Sequence, residues 1–279
     1  MDVHDPRLPN PPPGQDDLPC EDGEPMDSPT HRRQMSLLID SLVAAFPDRD
    51  DMYVGGNMFV WYSELQTKKK DVRGPDVFVV LGAIPGRKRK SWVVWEEGKL
   101  PDVVIELTSE STEHIDRGEK MRIYERVWHL PEYFLFDPER KTLEGWRLEG
   151  ERFVPIPADA AGELECRVLG LRLGVRDGWY QREQTSWLRW IDPASGHVLP
   201  TEREIALSEK AKADEAQAKA ADAQAKAADA QARAADAQAK AADAQARAAD
   251  AQAKAAEETA RAEAAIAELA RLKALIEGR

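Results

Sequence analysis

The last part of this chain leaves its backbone almost no choice. From Thr201 to Glu277 there is neither glycine nor proline, and between residues 217 and 255 the sequence repeats QAKAADA or QARAADA every seven residues. Alanine is the strongest helix former. Each aspartate of the repeat has a lysine or arginine four residues later, as in Asp222 with Lys226 and Asp229 with Arg233, which supports a helix surface. The pattern predicts a helical tail over 201–279, a rod of roughly 110 Å at 1.5 Å per residue. A strict seven-residue period favours left-handed supercoiling, yet the seam residues are alanines that bury little area. Two readings stay open. One is a solvated single helix. The other is a coiled coil that makes the chain a homo-oligomer, aided by the larger Ile266, Leu269, Leu272, Leu275 and Ile276 near its end.

Such a tail moves the globular fold into the first 200 residues. The tail holds 13 basic and 15 acidic residues, so 26 basic and 36 acidic remain before it, and most of the net charge of -12 belongs to the body. That sign excludes nucleic-acid binding by bulk electrostatics; a DNA-facing surface would have to be a local basic patch. Two cysteines, Cys20 and Cys166, make neither a disulfide framework nor a metal spacing. The opening MDVHDPRLPNPPPGQDD has no apolar core like that of a signal peptide. No apolar run reaches the ~20 residues that span a bilayer. A soluble cytoplasmic protein without a membrane partner is expected.

Six prolines in the first 19 residues point to a disordered acidic lead over 1–27. Order is expected from Ser28, with a helix carrying Met35, Leu38, Leu42 and Phe46 on one face and stopped near Pro47. Strands follow at DMYVGGNMFVWYSEL, PDVFVVLGAI (75–84), SWVVWEEG (91–98) and 101–108, then a helix near 113–128. After it, EYFLFDPERKTLEGWRLEGERFVPI reads as three strands joined by tight turns, and short strands continue to about residue 200. Helix, strands, helix, strands is an α+β arrangement in which helices pack on one mixed sheet, here a domain over 28–200.

One strand of that domain contains an anomaly. In Val103-Val104-Ile105-Glu106-Leu107 a carboxylate stands where a core strand wants an apolar residue. Burying it ionised is costly unless a cation meets it or it takes up a proton. Alternation puts Asp102, Val104 and Glu106 on one face. The earlier strand begins with Pro75-Asp76. Acidic residues at the ends of neighbouring strands can hold Mg²⁺ (or Mn²⁺), which takes oxygen ligands and can activate a water against a phosphate. A fixed cation two residues beyond Glu106 would complete the set, but that position is Thr108. The nearest substitute is Lys120, four residues after Asp116 on the following helix.

Taken in order, PDVFVV, PDVVIELTSEST, Asp116, EKMRIYE and LPEYFLFDP resemble the Uma-two family of restriction-endonuclease-like proteins, within the PD-(D/E)XK nuclease superfamily. The resemblance covers roughly 28–190 and is densest over 101–138. It implies a restriction-endonuclease-like fold and Mg²⁺-dependent hydrolysis of DNA phosphodiester bonds. It also makes Asp76 and Glu106 catalytic metal ligands and Lys120 the catalytic lysine moved from strand to helix. His31 matches a histidine that commonly follows a Ser-Pro pair in the family. The chain departs from the pattern at Pro19, where the family usually has a Glu; this chain either lacks that residue or uses Glu21 or Glu24 instead.

Ordinary alternatives stand beside each assignment. Asp76 and Glu106 can be strand-end carboxylates satisfied by backbone N–H groups or arginine. Asp102, a candidate third ligand together with Asp116, can be a turn aspartate, and Lys120 can simply pair with Asp116. The basic clusters Lys68, Lys69, Lys70 and Arg87, Lys88, Arg89, Lys90 are candidate DNA contacts or solvated hairpin loops. Thr108 and Ser109 read as helix caps, and the tryptophans as core. The competing functions are a non-catalytic nuclease-fold binding or scaffold protein assembled through its coil, and a nuclease acting on RNA.

Overall fold

The computed structural model describes residues 12–20, 28–64 and 71–277, with side chains to residue 274. Lys68, Lys69, Lys70, Glu21, Glu24 and most of the 1–27 lead lie outside the described residues. Ser28 starts the first helix, α1 (Pro29–Ala45), by accepting a hydrogen bond from the His31 N–H at 3.1 Å. A serine cap followed by proline at the first helical position is the expected N-terminal chemistry.

Nine strands are described between Met52 and Pro155. They are β1 (Met52–Gly55), β2 (Val60–Trp61), β3 (Val72–Arg73), β4 (Val77–Leu81), β5 (Trp92–Val93), β6 (Val103–Leu107), β7 (Glu132–Asp137), β8 (Thr142–Glu149) and β9 (Arg152–Pro155). The main sheet has the order β1-β4-β6-β7-β8-β9, with β6 and β7 parallel and its other pairs antiparallel. The parallel pair needs a crossover. Helix α3 (Glu113–Ile115), a π-helical turn (Asp116–Lys120) and α4 (Met121–Arg126) supply it. β10 (Leu164–Cys166), β11 (Leu171–Tyr180) and β12 (Glu183–Ile191) form a second sheet, and β3-β2-β5 a third. The fold is α+β with a central mixed sheet, as the sequence implies, with two small sheets added.

Both faces of the main sheet are covered, which is why its inner strands lack polar alternation. On one face Val77, Val79, Val103 and Ile105 pack with Leu38 and Leu42 of α1 and with Leu173, Leu188 and Trp190 of the second sheet. On the other, Phe78, Val80, Val104 and Tyr133 pack with Tyr124, Trp128 and Trp92. The second layer contains the site.

Two expectations are corrected, and the helical tail is as expected. The segment 91–98 is not one strand: after the two residues of β5 it turns into α2 (Val94–Glu97), ended by Gly98 at φ +73°. Glu97 is drawn inward by Arg89, whose guanidinium lies 4.7 Å from the Tyr53 ring centre and 4.9 Å from that of Trp92. The described part of the lead, 12–20, is packed: Trp61 and Trp95 donate their indole N–H groups to the carbonyls of Pro19 and Pro13, and Leu18 is buried beside Trp61 and Val93. Proline-rich composition does not foresee these distant partners. The tail is one helix, α5 (Glu202–Glu277). Thr201 caps it by accepting from the Glu204 N–H at 3.2 Å while Glu204 accepts from the Thr201 N–H at 2.7 Å, a reciprocal capping box. The chain divides into two compact units, the first ending at Leu207 and the second starting at Ser208.

Candidate active site

The register of β4 on β6 sets the site. Val77 pairs with Ile105 and Phe78 with Val104, so one further step places Asp76 opposite Glu106. Opposed residues of an antiparallel pair project from the same face. The two acids therefore converge, and the Asp76 N–H lies 3.5 Å from Glu106 Oε2. Gly56 makes room for this strand end, because a Cβ there would come within 2.6 Å of the Asp76 carbonyl oxygen.

Glu106 is wholly buried, with 0% exposure. Its Oε1 accepts from the Tyr124 hydroxyl at 2.7 Å and its Oε2 from Lys120 Nζ at 3.0 Å. Lys120 Nζ also lies 2.8 Å from Asp116 Oδ1, itself buried. Asp76 Oδ2 accepts from the Leu107 N–H at 2.8 Å, and its Oδ1 is 2.8 Å from His31 Nε2, at the start of α1. Asp116, Lys120 and Tyr124 stand four residues apart, so one face of the crossover delivers all three. The widened π turn lies where this face meets the sheet, and the Asp116 carbonyl there accepts from the Tyr133 hydroxyl at 3.1 Å. Single π turns in α-helices are frequent at functional sites.

The electrostatics are unbalanced. Burial pushes the Glu106 carboxyl up to about 8; Lys120 pulls it down, Asp76 and Asp116 push it further up, and the Tyr124 hydroxyl lowers it. Burial works against the Lys120 ammonium, but Glu106, Asp116 and Asp76 outweigh it and hold the lysine charged to well above its usual range. If all three acids ionise, three negative charges face one ammonium. That deficit of two positive charges, together with an all-oxygen donor set, fits a hard divalent cation. Asp76 and Glu106 could hold such an ion between them.

Other candidates are not brought here. Asp102 occupies the opposite end of β6, where its Oδ2 accepts from the Leu81 N–H at 2.8 Å and lies 2.9 Å from Lys99 Nζ. It belongs to the same sheet face as Glu106 but is four residues away, roughly 13 Å along a strand. In the Arg87–Lys90 cluster, Arg87, Arg89 and Lys90 are paired within the chain. Arg87 bonds Glu96 at 2.5 Å, Arg89 bonds Glu97 at 2.9 Å with side chains only 4% and 2% exposed, and Lys90 pairs with Asp16 at 2.7 Å. The Lys88 carbonyl accepts from Gln15. Among the described residues, no group of three or more His, Cys, Asp or Glu has metal-binding geometry. No helix of the described residues is long and apolar enough to cross a membrane.

A cleft of about 890 Å³ opens at His31, the partner of Asp76, and is lined also by Ser28, Thr30, Thr108, Ser109 and Lys141. Sequence reading missed Tyr124 as a site residue, although its spacing from Lys120 contained the signal. Removing its hydroxyl leaves the buried carboxylate one donor short. Tyr124→Phe is expected to reduce turnover about tenfold with little change in KM for substrate. The rising limb of the pH profile is expected to move to higher pH, because the Tyr124 hydrogen bond favours the ionised form. A pH-rate series on both proteins checks this.

Comparison with known proteins adds two findings. The model of the Uma2 family, described as "Putative restriction endonuclease", matches residues 21–189. Among solved structures, a protein described as "a putative nuclease belonging to DUF820" from Anabaena variabilis ATCC 29413 matches with 15% identity and a TM-score of 0.36. The match covers 50% of this chain and 73% of that one. No curated protein matches the chain.

Proposed function

The chain belongs to the Uma2 family, and from that premise we propose that it is an endonuclease that hydrolyses DNA phosphodiester bonds with a bound Mg²⁺ or Mn²⁺. The observation that carries this reading is the convergence of Asp76 and Glu106 on one sheet face with Lys120 bridging Glu106 and Asp116. When bound, the cation would supply charge neutralisation at the phosphate and acidify a water. Asp76 and Glu106 would hold it. The remaining steps belong to the chain itself. Lys120 holds a proton and a positive charge beside Glu106, where it can orient the attacking water and stabilise developing negative charge. Tyr124 fixes the Glu106 carboxylate, and the Leu107 N–H and His31 fix Asp76. The hydroxyls and Lys141 of the adjoining cleft offer donors to a sugar-phosphate backbone.

Incubating the purified protein with supercoiled plasmid and Mg²⁺ or Mn²⁺ tests the reading. Nicking or linearisation that chelation abolishes and Asp76→Asn removes is expected. Cleavage indifferent to that substitution would move the activity elsewhere.

A second reading, a nuclease-fold protein that binds without cutting, draws on one observation: all four carboxylate oxygens of Asp76 and Glu106 already have partners within the chain. The two readings differ in how stability responds to pH. The folded Glu106 carboxyl keeps its proton to about pH 8, against an ordinary value of 4.5. The native state therefore binds an extra proton across that window, and stability falls as pH rises through it. A cation held by the ionised carboxylate offsets the loss. Mg²⁺ at millimolar concentration is therefore expected to raise Tm by several degrees at pH 8.5 and by little at pH 5.5, as scanning calorimetry can measure. An equal shift at both pH values contradicts the metal reading.

A further inference from the structure

We propose that α5 pairs with α5 of a second copy of this chain as a parallel, in-register coiled coil along one identifiable face. Within the repeat four of every seven residues are alanine, which offers two alanine stripes with the alternating 3-4 spacing of a coiled-coil seam. The end of the helix decides between them. The stripe through Ala220, Ala223 and Ala227 continues in unbroken phase to Leu269 and Leu272. From 213 to 272 every position on it is Ala or Leu except Glu258. The stripe through Ala218 and Ala221 instead meets Glu263 and reaches no leucine.

Both leucines stand uncovered on the chain itself, Leu269 60% and Leu272 49% exposed. A stripe with a period of 3.5 residues drifts around a straight helix, and only a partner of the same period follows it over such a length. A second copy of this tail has the same period and matches it over its whole length.

The flanking charges favour the parallel orientation, against a single Glu258–Glu258 contact within the seam. The chosen seam has glutamine on one flank (Gln224, Gln231, Gln238) and lysine or arginine on the other (Lys226, Arg233, Lys240). In a parallel pair each cation faces a glutamine of the partner. In an antiparallel pair cation faces cation, and the leucines of each end lie against alanines. The aspartates do not change this, because each is engaged on its own helix, as in Asp222 with Lys226 at 2.6 Å and Asp229 with Arg233 at 2.7 Å. Alanine's small side chain allows close approach of the two backbones. Parallel pairing also brings two copies of the Glu106 site to the same end of the coil.

Full-length protein with Cys20→Ser and either Ala262→Cys, on the seam, or Ala264→Cys, off it, tests the proposal when oxidised with diamide at micromolar concentration. The seam variant is expected to form disulfide-linked dimers at least about tenfold faster than the off-seam variant. Adding Leu269→Lys and Leu272→Lys is expected to remove most of that difference while leaving helical circular dichroism unchanged, since lysine is a good helix former. Equal cross-linking at 262 and 264, or a single-chain mass by sedimentation at the same concentration, would overturn it. An antiparallel pair would also fail at 262, because that position would then face the other end of the partner helix. None of these readouts depends on DNA cleavage.

Discussion

Glu106→Gln is expected to abolish divalent-dependent DNA cleavage, by about 1,000-fold or more, and to make the metal-free protein more stable at pH 8.5. The two effects share one cause. The carboxylate is wholly buried, and its ionised form is disfavoured first by that burial. Glutamine keeps the shape and an oxygen acceptor for Lys120, and the Tyr124 hydroxyl can turn from donating to accepting an amide hydrogen. The substitution therefore removes a buried charge without emptying the pocket. Each unit by which a carboxyl is raised corresponds to about 1.4 kcal/mol, but Lys120 loses a counter-charge at the same time. A net gain on the order of 1–3 kcal/mol is expected, a Tm rise of a few degrees for a domain of this size. At pH 5, where the native carboxyl is already protonated, the stability difference should vanish. The catalytic loss follows from removing a carboxylate ligand of the proposed cation. Thermal melts at the two pH values, run beside the plasmid assay, check both halves. A variant that loses activity and stability together at pH 8.5 would point to a structural role for Glu106.

Lys120→Met should act in the opposite sense on stability. The ammonium lies 3.0 Å from Glu106 Oε2 and 2.8 Å from Asp116 Oδ1, with a side chain only 21% exposed. Methionine fills similar volume but leaves Asp76, Glu106 and Asp116 facing one another with no positive charge among them. Removing one partner of a buried ion pair costs about 3–5 kcal/mol, which lowers Tm by roughly 10 °C at pH 8. The loss should shrink at pH 5, where Glu106 is neutral, and should be partly restored at pH 8 by Mg²⁺. Cleavage measured well below the melting transition is expected to fall at least about 100-fold, because the fixed charge proposed to face the reacting phosphate is gone. Undiminished cleavage by the folded variant would remove Lys120 from the mechanism.

How much of this the sequence revealed depends on whether the deciding contact was local. The central strands were legible because VFVV, VVIEL and EYFLFD are apolar on both faces, and alternation alone put Val104 and Glu106 on the same side. The opposition of Asp76 and Glu106 was visible only as two acids near strand ends; their convergence comes from the β4–β6 register. Asp102 shows the limit of face arguments, since it shares the face but occupies the other end of β6. The Arg87–Lys90 run looked like a surface charge cluster, yet Arg89 is buried between two aromatic rings and Glu97, residues that only tertiary packing assembles. The same pull explains why Trp-Val-Val-Trp, rich in strand formers, closes into α2 instead of continuing β5. The tail required no tertiary information, because alanine and the i, i+4 ion pairs act within a single helix.

Calorimetric titration of Mn²⁺ into the full chain at pH 7, in two buffers of different ionisation heat, addresses the central claim most directly. A single ion is expected to bind per chain with release of close to one proton, from Glu106, and with affinity reduced at least about 100-fold by either Asp76→Asn or Glu106→Gln. Binding of equal affinity in either variant, or uptake with no proton released, would contradict it.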